Sequence, residues 1–217
     1  MPFGNWLAAA KEYSADEADK SIYAHNDGLD TLKKLNIPTI LSSRPVPFKG
    51  KLANESFALV NGEYKFAHQK HYFPEGSGFY ETKWFVNEKS GFDIIEANGL
   101  KIGVLLCTEL FFNEWARSYG RQGAHLIVVP RATGETVEHW KTAAAMAAIV
   151  SGCYVVSSNR VGRFDDELIF GGNGFAFSPG GTLISETSAE NPVMSIDLDF
   201  DLIKNKQKDY PCYVPEL

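Results

Sequence analysis

The sequence predicts an α/β fold. Two short runs, residues 101–106 and 124–130, are almost continuously apolar, as strands covered on both faces must be. A third run of the same kind, 153–158, follows. Helical stretches at 111–120 and 139–151 separate the three, so this part of the chain reads β-α-β-α-β.

The remaining elements follow in order. Ser14 and Glu17 have the spacing of a capping box, and Ile22, Leu29, Leu32 and Leu35 share one side of a helix over 18–35. Gly28 interrupts that pattern and predicts two shorter helices. Residues 37–43 read as a short strand. Asn61-Gly62 between the strand-like runs 56–60 and 63–67 is a hairpin signal. Residues 68–84 hold Pro74, Gly76 and Gly78 and read as a surface loop. Residues 170–184 are glycine-rich and β-like. Their Phe170-Gly171-Gly172-Asn173-Gly174 is read as turns, because no helix follows to make it a dinucleotide fingerprint. The first helix is preceded only by Met1-Pro2-Phe3-Gly4-Asn5-Trp6, which is no strand, so the chain starts inside a βα unit. With no repeat and no linker, residues 1–217 form one domain on this reading.

Composition narrows the function. The chain is 44% hydrophobic and 22% charged, as an ordinary globular protein is. A net charge of −6 lacks the basic face that nucleic-acid binding needs. No apolar run reaches the ~18 residues of a membrane span. The N-terminus has no signal-peptide pattern, and three cysteines, Cys107, Cys153 and Cys212, fit a reducing cytoplasm.

Cys107 stands where an apolar strand gives way to a helix, the usual place for an α/β active site. A thiol there is either a nucleophile or a buried structural cysteine. Cys153 and Cys212 read as structural. Lys70 in His68-Gln69-Lys70-His71, and Glu81 after Gly78-Phe79-Tyr80, read alone as solvated side chains. His68 and His71 lack the further ligands of a metal site.

Taken together, these residues carry a resemblance. The run from Leu100 through Cys107-Thr108-Glu109, Asn113-Glu114-Trp115-Ala116-Arg117 and 123–130 resembles the nucleophile segment of the nitrilase superfamily of carbon–nitrogen hydrolases. His68 to Pro74 resembles that family's lysine motif. His139-Trp140-Lys141 and Asn159-Arg160-Val161-Gly162 also match, and within the family they resemble the N-carbamoylputrescine amidase-like branch. The likeness runs from about Pro2 to Cys212.

The resemblance implies a four-layer α-β-β-α sandwich that pairs into homodimers or higher homo-oligomers. It implies hydrolysis of a non-peptide C–N bond in a small amide, carbamoyl or nitrile compound, with no metal or organic cofactor. Cys107 is then the nucleophile, forming a thioester or thioimidate. Lys70, with the backbone N–H of Thr108, stabilises the oxyanion. Glu81 buttresses the lysine and the substrate nitrogen. Glu109 orders the turn after the nucleophile, and Arg117 pairs with carboxylates in the helix layer. Arg131 meets a substrate carboxylate, or else is a surface or dimer-contact arginine.

The sequence departs from the family at one point. The general-base glutamate normally follows the first strand in a Pro-Glu pair, and nothing before Lys70 fits. The alignment places that pair just before Met1, so the chain is expected to lack its first strand. That strand is expected beside the one leading to Cys107. The alternative is a non-catalytic binding or assembly protein of the same fold without a base.

Overall fold

The computed structural model describes residues 1–76, 78–88, 91–164 and 168–216. The chain divides into two compact units, residues 1–91 with 164–168 and residues 92–163 with 169–217.

The first unit opens with a 3-10 turn at Leu7–Ala9, anchored by buried Trp6, whose Nε1 donates to the Gly78 carbonyl at 2.7 Å. Helix α1 (Ala15–Lys33) starts at Ser14, whose hydroxyl accepts from the Glu17 N–H at 3.4 Å. Asp16 and Glu17 in its first turn and Lys33 in its last complement the helix dipole. The expected break at Gly28 does not occur. A Cβ at this position would fall 2.4 Å from the Phe3 ring, so the glycine makes room for a packed aromatic and the helix runs through it.

Strands β1 (Thr39–Phe48), β2 (Lys51–Val60) and β3 (Glu63–Gln69) form an antiparallel sheet in the order β1-β2-β3. The expected strand over 37–43 is therefore longer and enters a hairpin of its own. Pro45 and Pro47 argue against a central strand, and β1 carries them because it is an edge of this sheet. Both turns have positive φ at both central positions, Lys49-Gly50 as well as Asn61-Gly62, which matches the twist of a tight hairpin. Central β2 is buried along almost all its length, and Leu29 of α1 packs on its Phe57 and Leu59. The loop over 68–84 contains a short pair, β4 (Glu75–Gly76) with β5 (Phe79–Tyr80), and one turn of helix, α2 (Glu81–Trp84).

The second unit holds β6 (Ile95–Ala97), β7 (Leu100–Val104), a 3-10 turn at Cys107–Phe111, and α3 (Asn113–Arg121). Then come β8 (Leu126–Arg131), α4 (Glu138–Ser151), β9 (Tyr154–Asn159) and a ribbon of β10 (Val161–Phe164) with β11 (Leu168–Gly171). β12 (Phe175–Phe177), β13 (Leu183–Glu186) and α5 (Phe200–Lys206) complete it. The sheet order is β13-β12-β9-β8-β7-β6, with β7, β8 and β9 parallel. Both flanks of β7 are thus filled from within the chain, by β8 and by antiparallel β6 (Ile95 opposite Ile102). This corrects the expectation that a strand preceding Met1 lies beside β7.

Helix α3 does not stop at Gly120 but at Arg121. Gly120 is a packing residue, since a Cβ there would lie 2.3 Å from the Ser151 carbonyl oxygen. α4 ends on Gly152 in the left-handed region, φ 65°. α5 escaped the sequence reading. Its cap is Asp199, which accepts from the N–H groups of Asp201 and Leu202. Among the described residues, no helix is long and apolar enough to cross a membrane.

Candidate active site

Cys107 is the first residue of the turn that follows β7, at the carboxyl end of the parallel strands. Its φ is +57°, a left-handed conformation uncommon for a residue with a side chain. Such strain persists only where the surroundings enforce it. The enforcement here is visible. Glu109, fully buried, accepts from the Leu106 N–H at 2.7 Å and so fixes the backbone just ahead of the thiol. Tyr119 donates its hydroxyl to the Val104 carbonyl at 2.8 Å, with its ring over Gly103, where a Cβ would fall within 2.5 Å. A sharp strand-to-turn passage holds the thiol half-exposed at the sheet edge, with Thr108 next in the turn.

Arg131 ends β8 on the same edge and is 5% exposed. Its Nε donates to Ser157 Oγ at 2.6 Å, one terminal nitrogen to Thr133 Oγ1 at 2.8 Å and the other to the Asn173 carbonyl at 2.6 Å. The rings of Phe175 and Trp140 lie 4.6 and 5.2 Å from the guanidinium. This rules out the surface-arginine reading. Burial pushes the guanidinium pKa down to about 10, and Cys107, electrostatically coupled to it, acts in the opposite direction. Thr133 is itself held by Asn159, which accepts from its N–H and donates to its carbonyl.

The other cysteines are structural in their surroundings. Cys153 is fully buried and donates to the Ala124 carbonyl at 3.0 Å, and burial pushes its thiol up to about 12. Burial also raises Cys212, whose thiol reaches the Ile149 carbonyl. Arg117 departs from expectation. It bonds Glu216 at 2.7 Å and the carbonyls of Pro211 and Val214, so it ties down the C-terminal segment rather than pairing within the helix layer.

In the first unit, Lys70 and Glu81 meet. Lys70 Nζ donates to Glu81 Oε2 at 2.6 Å, and the side chains are 1% and 2% exposed. Neither is the solvated residue it resembled in isolation. Their backbones are fixed as well, Lys70 N–H on the Asn54 carbonyl and Glu81 N–H on the Pro74 carbonyl. His68 stacks on His71 with ring centroids 5.3 Å apart, and its Nδ1 lies 3.3 Å from the Gly91 carbonyl.

One polar cluster gave no sequence signal. Glu55 on β2 is buried and accepts from Tyr64 Oη at 2.8 Å and Gln69 Nε2 at 3.2 Å. Burial, then Glu55, raise the Tyr64 phenol. Asn54, the head of a glycosylation sequon, is also buried, which leaves no room for a glycan.

The profile of the carbon-nitrogen hydrolase family matches residues 32–208. The chain belongs to that family. Among carbon-nitrogen hydrolases, the N-carbamoylputrescine amidase of Solanum lycopersicum is 28% identical over 162 residues, 67% of this chain and 54% of its own. The chain spans about half the length of the curated relatives it matches. A carbon-nitrogen hydrolase from Helicobacter pylori G27 superposes with a TM-score of 0.82 at 21% identity, covering 96% of this chain and 78% of that one. That likeness gives the fold, the α/β fold of the nitrilase type. A variant of the amidase from Nesterenkonia sp. AN1 superposes at 0.72 with 19% identity, covering 87% of this chain and 73% of that one. In that structure acrylamide has added to the active-site cysteine.

Proposed function

We propose that this protein hydrolyses a non-peptide carbon–nitrogen bond in a small amide or carbamoyl compound, with Cys107 as nucleophile. The observation that carries the reading is the strained, half-exposed Cys107 at the carboxyl edge of β7, in a chain of this family. The thiol sulfur attacks the carbonyl carbon, the C–N bond breaks, and nitrogen leaves as ammonia or an amine carrying the thiol proton. Water then cleaves the thioester and frees the acid. Lys70 and the Thr108 N–H are assigned to the oxyanion. Glu81 is a positioning residue, supported by its bond to Lys70. A carboxylate that fixes an ammonium in a buried setting holds it pre-aligned for charge that develops later.

The acrylamide adduct of the Nesterenkonia amidase variant suggests the test. The 217-residue chain is incubated with acrylamide and its peptides are mapped. Cys107 sulfur bonds the terminal alkene carbon, and the proton goes to the carbon next to the carbonyl. Cys107 is expected to be modified well ahead of Cys153 and Cys212, and more slowly in Lys70→Ala. Modification of Cys212 at the same rate would overturn the assignment.

A further inference from the structure

Arg131 poses a problem of charge. It is a guanidinium with only 5% of its surface exposed, and a buried cation is costly unless paired. Its hydrogen-bond partners, Ser157, Thr133 and the Asn173 carbonyl, are all neutral. No carboxylate among the described residues forms an ion pair with it. These three bonds use three of its five N–H groups, so one N–H on each terminal nitrogen remains undonated. Two aromatic rings flank the guanidinium and reduce its freedom to turn away.

Its position explains what the charge can serve. β7 and β8 are parallel neighbours, and their pairing continues to the Leu105 N–H on the Val128 carbonyl. Arg131 lies three residues beyond Val128 on its strand, and Cys107 lies two beyond Leu105 on the other. The two side chains therefore belong to one sheet edge.

From this geometry we infer that Arg131 is a specificity-determining residue that receives a carboxylate of the substrate, so that the preferred substrate is a small amide or carbamoyl compound carrying an acid group. The inference rests on Cys107 being the nucleophile. A fork held on neutral hydrogen-bond partners, with no carboxylate among the described residues paired to it, is prepared for a planar anion.

The test needs no turnover. Iodoacetate and iodoacetamide alkylate a thiolate in the same way. Sulfur bonds the CH2 carbon and iodide leaves, but only the first carries a carboxylate. Bromoacetyl-glycine and bromoacetyl-β-alanine, each against its neutral amide, extend the reach. Rates at Cys107 are read by peptide mapping and divided by the rates of the same reagents with glutathione.

The expected result is a preference for at least one acid reagent of about tenfold or more, the least a charge-assisted bond to a buried partner confers. Arg131→Met should remove it and Arg131→Lys should keep part of it. A normalised ratio near one for every pair overturns the inference, whether or not the variants fold, because it is read on the wild-type chain. A preference that survives Arg131→Met also overturns it. Failure of both reagents of every pair to label Cys107 ahead of Cys212 instead sinks the nucleophile assignment, and this inference with it.

Discussion

Lys70 and Glu81 form an ion pair of 2.6 Å with both side chains almost wholly removed from water. They stand eleven positions apart in sequence, across a loop whose described residues hold a two-residue strand pair and the start of a helical turn. The loop is therefore shaped around the pair. Its charge is costly to bury, and a fold selected for stability alone gains little from it. On the proposed function, a lysine that must be aimed at a developing oxyanion is a physical reason to keep it.

Breaking the pair should cost more than removing it. Glu81→Leu leaves a buried ammonium without its carboxylate and should lower unfolding free energy by about 3–5 kcal/mol. Lys70→Met with Glu81→Leu should recover most of that loss. Urea denaturation of the two single variants and the double variant checks this. A double variant no more stable than Glu81→Leu would mean that the pair is not the source of the cost.

The three thiols should differ in reactivity toward iodoacetamide. Cys107 is half-exposed, whereas Cys153 is fully buried with its thiol raised to about 12, and burial also raises Cys212. Alkylation needs a thiolate that reagent can reach. Mass mapping at neutral pH should give the order Cys107, then Cys212, then Cys153.

Cys153 also predicts an alkaline limit to stability. Its thiol is near 12 in the fold against a reference of 9.0 for the free side chain. Below about 9 both states keep the proton, and the contribution is fully present. Between 9 and 12 the unfolded chain releases it while the fold retains it, so stability falls as pH rises, by up to ~1.4 kcal/mol per pH unit. Under reducing conditions, Cys153→Ala should flatten the decline between pH 9 and 10.5 relative to wild type. Parallel slopes would place the alkaline loss elsewhere.

Gly120→Ala would stabilise an isolated helix by about 1 kcal/mol. In this protein it should do the opposite. The added Cβ meets the backbone of Ser151, with the carbonyl oxygen at 2.3 Å and Cα at 2.7 Å, and backbone cannot rotate away. Overpacking of this kind typically costs ~1–3 kcal/mol. A raised melting temperature for Gly120→Ala would show that α3 and α4 yield more easily than their contact implies.

Much of the fold was legible because it is written in local periodicity. The apolar runs that became β7, β8 and β9, and the Asn61-Gly62 turn, carry their signal within a few residues. The misreadings are tertiary. Gly28 and Gly120 look like interruptions until Phe3 and Ser151 are seen against them. The strand read over 37–43 runs on to Phe48 because it pairs along its whole length with β2.

The candidate site divides in the same way. Cys107 was legible from its place after an apolar run, but its left-handed φ was not, because nothing in a cysteine demands that conformation as a glycine would suggest it. Two of the three hydrogen-bond partners of Arg131 come from β9 and from residue 173, remote in sequence, so its burial on neutral partners emerges only in the folded chain. The polar cluster of Glu55, Tyr64 and Gln69 was likewise hidden in an ordinary hairpin.

The central claim is C–N hydrolysis through a Cys107 thioester, and its most direct test is acid quench during turnover. The protein is mixed with a panel of small amides and carbamoyl amines, with and without an acid group. Ammonia is measured, and the quenched protein is mapped for an acyl group. The expected result is ammonia release that Cys107→Ala abolishes, together with an acyl group on the Cys107 peptide in the parent protein. Release undiminished in Cys107→Ala, or an acyl group carried by any other residue, would contradict it.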